Sequence, residues 1–223
     1  MQQQPDAEQA QRLRQLRLRS NLGYAAERCN EVFFVRRLKV LLAEQGADPN
    51  AEAQHHAGRA PLYLAAEAGH AQAVTALLRH GADVDWVCPG NGKAALQIAT
   101  AKGHDVCLAL LIEHGAALDA LTAQGNSALT LAATYGHTAC VKALVDANAD
   151  TTIKAWPAAG FGRTDPHAEP ASRRQLTALE IALHNQTVVE RAGYSQPQSR
   201  WGRKYGSLGT AKSYRQVVHL LGP

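Results

Sequence analysis

The chain has 223 residues, a formal net charge of +4, 46% hydrophobic residues and 5% aromatic residues. An apolar fraction rich in Ala and Leu favours closely packed helices over a β-sandwich, which uses more Val, Ile, Thr and aromatic residues. The charge is compatible with an acidic partner or a nucleic acid and selects neither. Because no stretch of about eighteen apolar residues occurs, we predict no membrane span.

The four cysteines, Cys29, Cys88, Cys107 and Cys140, lie far apart in the sequence. Structural zinc sites and redox dithiols use closely spaced cysteines, so we expect neither here. The N-terminus has no apolar segment typical of a secretory signal. Cysteines without such a signal favour a reducing, intracellular compartment, the cytoplasm in the first place and an organelle as the alternative.

Residues 1–20 are predicted to form a basic N-terminal arm. The Leu and Arg residues between Gln11 and Arg19 are compatible with an amphipathic arm that has Leu on one side and Arg on the other. A mitochondrial presequence is an alternative interpretation, because such sequences are Arg-rich and amphipathic. Asp6 and Glu8 argue against it, since presequences contain few acidic residues.

The first repeat-like segment is degenerate. Leu41 and Leu42 lead into Gly46, and a preceding first helix is expected from Gly23 to about Asn30. End repeats of a solenoid are expected to be irregular, because one of their faces meets water instead of another repeat.

Three central segments share one pattern: APLYLAAEAGH at residues 60–70, AALQIATAKGH at 94–104 and SALTLAATYGH at 127–137. The Gly-His pairs begin at residues 69, 103 and 136, and so recur after 34 and then 33 residues. A fixed period of this length indicates a solenoid of stacked repeats.

Each copy is followed by a second apolar run that stops at Gly81, Gly115 or Asn148. Apolar residues recur at i+3 and i+4 in both halves, which predicts two short helices with one buried stripe each. The glycine before each repeat His permits a sharp turn, and the Gly or Asn after the second run fits a left-handed C-cap. Helices of about eight residues are unstable alone, so stacking has to build the core.

The last repeat is divided. The motif restarts at Thr177, and its second helix is expected from Ser213 to Leu221. Two segments rich in Gly, Pro and Ser, at residues 152–175 and 186–212, are predicted to be inserted loops.

The repeated pattern resembles the ankyrin repeat, in which a Thr-Pro-Leu-His segment opens the first helix, Gly-His separates the helices and Gly-Ala-Asp closes the unit. Residues of about 50 to 150 carry the resemblance. It implies an all-α solenoid of about five helix-turn-helix repeats joined by hairpin loops, forming a single domain over 21–223. The expected boundaries of the repeats are 21–50, 51–85, 86–119, 120–151 and 152–223.

The chain departs from the family pattern at two positions of the motif. The family's threonine is replaced by Ala60, Ala94 and Ser127, and its histidine by Tyr63, Gln97 and Thr130. Because the family's residues supply caps and hydrogen bonds between turns, we expect a lower stability than that of a consensus array.

The chain has ten histidines, which raises the question of a metal or catalytic site. His70, His104 and His137 occupy equivalent positions in successive repeats. Stacked helices lie about 8–10 Å apart, whereas zinc binds imidazole nitrogens at about 2.0–2.1 Å. We therefore predict that these rings make structural hydrogen bonds at the turns. The pair His55-His56 is expected at a hairpin tip, and no further ligands accompany it.

Cys107 and Cys140 each stand four residues after a repeat glycine, inside the second helix, and are expected to be small core residues. Nucleophilic catalysis would need a base beside an activated thiolate, and the sequence shows no such arrangement. The glycines of Pro89–Lys93 lack the spacing of a phosphate-binding loop and predict a hairpin with one extra residue. We predict that the protein is not an enzyme and uses no metal or cofactor.

The resemblance implies that a partner docks on the hairpin tips and the exposed side of the first helices. The register assigns these residues to that surface: Arg59, Glu67, Ala68, Lys93, Ala101, Lys102, Gln124, Asn126, Thr134 and Tyr135. The two insertions add aromatic and basic residues, the types enriched at interface hot spots. Those that we assign to partner binding are Trp156, Phe161, Arg200, Trp201, Arg203, Lys204 and Tyr205.

We predict a non-enzymatic protein–protein interaction scaffold or adaptor, working as a subunit of a larger intracellular complex. The insertions form either a clamp on the partner or a lid packed on the terminal helices. The alternative function is contact with RNA or another nucleic acid. It rests on residues 186–212, which carry five Lys or Arg residues and one acidic residue beside aromatic side chains that could stack on bases.

Overall fold

A computed structural model describes residues 11, 21, 23, 25, 32–43, 46–51, 58–155, 175–191 and 210–222. The predicted N-terminal arm lies outside the described residues except for Gln11, which is helical. The pair His55-His56 also lies outside them.

The described chain forms paired helices with hairpins between the pairs. The helices are α1 (Val32–Ala43), α2 (Pro61–Ala68), α3 (Ala71–Arg79), α4 (Ala95–Lys102), α5 (Asp105–Glu113), α6 (Ala128–Tyr135), α7 (Thr138–Asp146), α8 (Ala178–Arg191) and α9 (Ala211–Leu221). Two short strands, β1 (Lys154–Ala155) and β2 (Leu176–Thr177), pair antiparallel and lead into α8. The predicted all-α solenoid is confirmed.

The helices stack in two rows. The first helices pack in the order α2, α4, α6 and α8, and the second helices in the order α1, α3, α5, α7 and α9. The core lies between the rows, where Leu62, Leu96 and Leu129 of the first helices are buried, as are Leu77 and Leu111 of the second helices. Each short helix is therefore stabilised by the repeats on either side of it.

Left-handed residues end the helices, as the sequence predicts. Gly69 follows α2 with φ 76°, and its N–H bonds to the carbonyls of Ala65 and Ala66. Asn148 also has a positive φ, of 64°, and it is the one residue other than glycine that does so in the described part of the chain. Asn tolerates this conformation better than most side chains, so the repeat ends here as it does at the glycines.

Side chains in the hairpins tie each repeat to the next. Residues 50, 85 and 119 occupy equivalent places, and each accepts a hydrogen bond from a backbone N–H in the following repeat. The three bonds are Asp83 N to Asn50 Oδ1 at 2.7 Å, Ala117 N to Asp85 Oδ1 at 2.9 Å and Asp150 N to Asp119 Oδ1 at 2.9 Å. This chain of bonds fixes the spacing of the hairpins independently of the helices.

The first repeat agrees with the sequence prediction where it is described. Gly23 and Ala25 are helical and buried, in the segment predicted as its first helix. Leu41 and Leu42 of α1 are buried in the core. The degenerate motif therefore still supplies an apolar face that covers α3.

The last repeat corrects the prediction that residues 186–212 form a loop throughout. Helix α8 continues to Arg191, because Gln186 stands where the earlier repeats have the glycine that ends the first helix. Helix α9 begins at Ala211, two residues before the predicted start, with the Thr210 side chain accepting from Ser213 N. In the other insertion, Lys154 and Ala155 form strand β1, and residues 156–174 lie outside the described part.

Candidate partner-binding surface

An ion pair lies at the start of the second repeat. Arg59 Nη1 donates to Glu67 Oε2 at 2.8 Å, and both side chains are about one-third exposed. The Arg59 guanidinium carbon also lies 5.7 Å from the centre of the Tyr63 ring, within the range of a cation–π contact. The cation is therefore held at a fixed place on the surface by a carboxylate and an aromatic ring.

An aromatic cluster connects this ion pair to the hairpin of the third repeat. The rings of Tyr63 and Trp86 meet edge to face with their centres 6.3 Å apart. Asn91 Nδ2 donates to the Tyr63 hydroxyl at 2.8 Å, and Asn91 Oδ1 accepts from Lys93 N at 3.1 Å. Burial raises the pKa of Tyr63 above its ordinary value, although the bond from Asn91 acts in the opposite direction. The hairpin is therefore fixed onto helix α2.

Two lysines of the third repeat complete the surface. Lys93 is half-buried beside the cluster, and Lys102 is exposed at the end of α4. Burial lowers the pKa of Lys93, the positive charge of Lys102 lowers it further, and Glu67 raises it. We call Arg59, Glu67, Trp86, Lys93 and Lys102, together with the Tyr63 ring buried beneath them, the cationic–aromatic surface.

The structure brings together four of the predicted site residues, Arg59, Glu67, Lys93 and Lys102. Gln124 is exposed at the next hairpin. Tyr135 is half-buried at the end of α6, with its ring centre 6.0 Å from that of His137. The seven predicted residues of the insertions, from Trp156 to Tyr205, lie outside the described residues.

The expected exposure is wrong for Asn126 and Thr134. Asn126 is 8% exposed because its backbone closes a hairpin with Thr122. Thr134 is 2% exposed, and its carbonyl accepts bonds from Asn185 Nδ2 at 3.1 Å and from the Tyr214 hydroxyl at 2.8 Å. Ala101 is buried as well. The fifth repeat covers the end of α6, which a repeat register alone does not reveal.

Sequence reasoning missed the part that Tyr63 and Asn91 play in the surface. Tyr63 was a departure from the family's histidine, and Asn91 belongs to the hairpin with one extra residue. These two irregularities meet in one hydrogen bond. The sequence offered one signal of this contact: two adjacent repeats both depart from the repeat pattern, one at Tyr63 and the other at Asn91.

The repeat histidines make structural contacts between repeats. His104 Nε2 donates to the Glu67 carbonyl at 3.2 Å, and His137 Nε2 to the Ala101 carbonyl at 3.3 Å. Each ring rests on the glycine of the preceding repeat, so that a Cβ at Gly69 or Gly103 would meet a ring atom at 2.6 or 2.8 Å. The predicted bonds therefore join two repeats instead of closing one turn. Within the described part, no group of three or more His, Cys, Asp or Glu residues could hold a metal ion.

The cysteines of the second helices are buried in the core, as their register predicts. Burial raises the pKa of the Cys107 thiol to about 11 and that of Cys140 to about 12, and the charge of Asp105 adds to both shifts. The thiolate is the nucleophilic form of cysteine. These two thiols therefore stay protonated and unreactive near neutral pH.

The family model described as ankyrin repeats, in three copies, matches residues 22–120 and 80–155. The two matches cover residues 22–155, which is more than half of the chain, so the protein belongs to the ankyrin-repeat family. No curated protein matches the chain. Ankyrin repeats are generally protein–protein interaction modules and typically have no enzymatic activity. Among the described helices, none is long and apolar enough to cross a membrane.

Proposed function

We propose that the protein is a scaffold or adaptor that binds another protein through the cationic–aromatic surface. The observation that carries this proposal is the fixed geometry of that surface, which two adjacent repeats build together. Arg, Tyr and Trp are the residue types that dominate binding energy at protein interfaces. Here Arg59 and Trp86 are partly exposed, and both contact the buried Tyr63 ring.

The rigidity of the surface supports the same proposal. Ordering a side chain on binding costs about 0.5–1.5 kcal/mol. Arg59 is already held by Glu67, and Trp86 by Tyr63. A partner that docks there therefore meets side chains that have lost most of their freedom in the folded protein.

Affinity purification with two charge-reversed variants tests the proposal. The test variant carries Lys93→Glu and Lys102→Glu on the surface. The matched control carries Arg79→Glu and Lys142→Glu, two exposed cations on the second helices α3 and α7. We expect a partner protein, identified by mass spectrometry from the native source, to be lost from the test variant and kept by the control. Equal recovery from both variants would contradict a role for this surface.

We propose the insertion between α8 and α9 as a second contact with the partner. Two features of the insertion support this proposal. It contains the aromatic and basic residues Trp201, Arg203, Lys204 and Tyr205, and both of its ends belong to the terminal repeat. Replacing these four residues by Ser keeps the length of the insertion and both helices. We expect weaker partner binding with unchanged helicity in circular dichroism.

The same variant tests the alternative of RNA binding. If the insertion holds phosphates, the wild-type protein will bind single-stranded RNA with an affinity that falls steeply as salt rises. The serine variant will then lose that affinity while keeping the protein partner.

A further inference from the structure

Equivalent positions of three successive repeats carry different charges. Residues 59, 93 and 126 are equivalent, since they are 34 and then 33 residues apart, and they are Arg, Lys and Asn. Residues 67, 101 and 134 are related by the same steps, and they are Glu, Ala and Thr. The second repeat therefore has a cation and its carboxylate, the third has the cation alone, and the fourth has neither.

The second repeat shows what the third lacks. Glu67 accepts from Arg59 at 2.8 Å, so the charge of that cation is neutralised within its own repeat. In the third repeat the position of the carboxylate is Ala101, which is buried and cannot pair with Lys93. Among the described residues, Lys93 and Lys102 make no ion pair.

Lys93 is also partly withdrawn from water. It is half-buried next to the aromatic cluster, and the second positive charge of Lys102 acts on it. A partly buried cation gains more from an opposite charge than an exposed one does, because water screens the interaction less. An anion placed between the two lysines would offset the free-energy cost of burying the Lys93 charge and the repulsion between the two ammonium groups.

We propose that Lys93 and Lys102 bind the carboxylate of an Asp or Glu side chain from a partner protein, at the place where the Glu67 carboxylate lies one repeat earlier. This inference rests on the proposed function, and it names the chemistry that the partner must present. The partner's acidic residue completes in the third repeat the pair that the second repeat forms internally.

A protein carboxylate fits this place better than a nucleic acid. Base stacking needs an open aromatic face, whereas Tyr63 is 1% exposed and is already in contact with Arg59 and Trp86. Glu67 adds a negative charge that acts on Lys93 and would repel a run of phosphates. A single carboxylate needs no aromatic face, and with one charge it is repelled by Glu67 less than a run of phosphates is.

The test uses the full chain and random peptides displayed on phage. Peptides selected on the wild-type protein are synthesised, and their dissociation constants are measured by fluorescence anisotropy. Three variants should weaken the binding of acidic peptides: Lys93→Gln, Lys102→Gln and Ala101→Glu. The last of these places the missing carboxylate in the protein itself. The matched control Lys142→Gln removes one exposed cation from α7 and should not weaken their binding. Ala101→Gln, which has the size of the Glu variant without its charge, should weaken binding less than Ala101→Glu does.

We expect the selected peptides to share an acidic residue. Their affinity should fall at least about tenfold for Lys93→Gln, and by a similar factor when the acidic residue of the peptide is changed to its amide. The Lys142→Gln control should stay within about twofold of the wild type. Because Lys93→Gln and Lys102→Gln change partly or fully exposed side chains, they test the idea even if the Ala101 variants fold poorly.

The outcomes separate the inference from the proposed function. The selected peptides could lack an acidic residue and still lose their binding when both lysines become Glu. That result would overturn the carboxylate site and leave the surface as a protein-binding site. Peptides that are insensitive to every change on the surface would overturn both. Binding of single-stranded polyuridine RNA that depends on Lys93, without acidic peptides, would assign the lysines to phosphate and overturn the inference.

Discussion

The regular repeats and the fifth repeat solve the same structural problem with different side chains. At the end of α2 and of α4, a main-chain carbonyl accepts a bond from the repeat histidine that follows, His104 or His137. The equivalent carbonyl at the end of α6 belongs to Thr134. It accepts from Asn185 of α8 and Tyr214 of α9 instead.

The comparison identifies the constraint that both regions obey. The last carbonyls of a helix have no partner within it, and burying them unpaired is costly. The regular repeats meet this need with a histidine, and the glycine of the preceding repeat makes room for its ring. The fifth repeat has Gln186 and Thr187 at that place, so its first helix runs on and the second helix supplies Tyr214.

Tyr214→Ala should break the fifth repeat most severely. Tyr214 is fully buried, and removing a large buried aromatic side chain costs about 3–5 kcal/mol. We expect urea unfolding, followed by circular dichroism, to show that loss. Tyr214→Phe is the control, and it should cost only about 0.5–1.5 kcal/mol, because Asn185 still bonds to the Thr134 carbonyl. Equal losses in the two variants would mean that the hydroxyl, and not the packing, holds α9.

Gly103→Ala tests the contact between glycine and histidine in the regular repeats. Its φ is 77°, and its new Cβ would meet the His137 ring at 2.8 Å. The control is Gly115→Ala, which has φ 81° and no atom within 4 Å of the new Cβ. Both variants should lose about 1–2 kcal/mol to the left-handed backbone. Gly103→Ala should lose roughly 1 kcal/mol more as the ring is displaced, and equal free energies of unfolding would contradict this.

Acid should weaken the regular repeats through His137. Burial lowers the pKa of this ring below 6.5, and the nearby His104 adds to the effect. The unfolded chain therefore binds the proton more readily than the folded one. The stability that the neutral ring contributes is complete above about pH 6.5 and is lost as the pH falls through the folded-state pKa.

The measurement for this last prediction is the free energy of unfolding at about pH 7.5 and about pH 5 in the wild type and in His137→Gln. We expect the variant to lose less stability than the wild type over this range. At the fifth repeat Asn185 has no proton to gain, so Asn185→Ala should lower stability without reducing the loss on acidification. A pH dependence that is the same in His137→Gln and the wild type would contradict the assignment.

The regular part of the fold was predictable because its period is local. The spacing of Gly69, Gly103 and Gly136, together with the i+3 and i+4 apolar residues, specifies helix ends and buried faces without reference to distant residues. For the same reason the core positions of Cys107 and Cys140 followed from the register. The family match over residues 22–155 confirms the predicted ankyrin repeats.

The candidate site was predictable only in part. The register placed Arg59, Glu67, Lys93 and Lys102 on one surface, and these side chains are partly or fully exposed, while their role in binding a partner stays a prediction. It failed for Asn126 and Thr134, because their burial depends on a hairpin closed by Thr122 and on the helices of the fifth repeat. A repeat pattern assigns equal exposure to equivalent positions, whereas the neighbours of each repeat differ.

The sequence by itself therefore determined the class of fold, the helix pairs of the central repeats and the burial of Cys107 and Cys140. The tertiary structure alone decided that Tyr214 and Asn185 meet at the Thr134 carbonyl, and that the Tyr63 hydroxyl accepts from Asn91 of the next hairpin. The physical reason is the range of the interactions. Turns and helix caps depend on residues a few positions apart, while these contacts join residues 28 to 80 positions apart and exist only once the repeats are stacked.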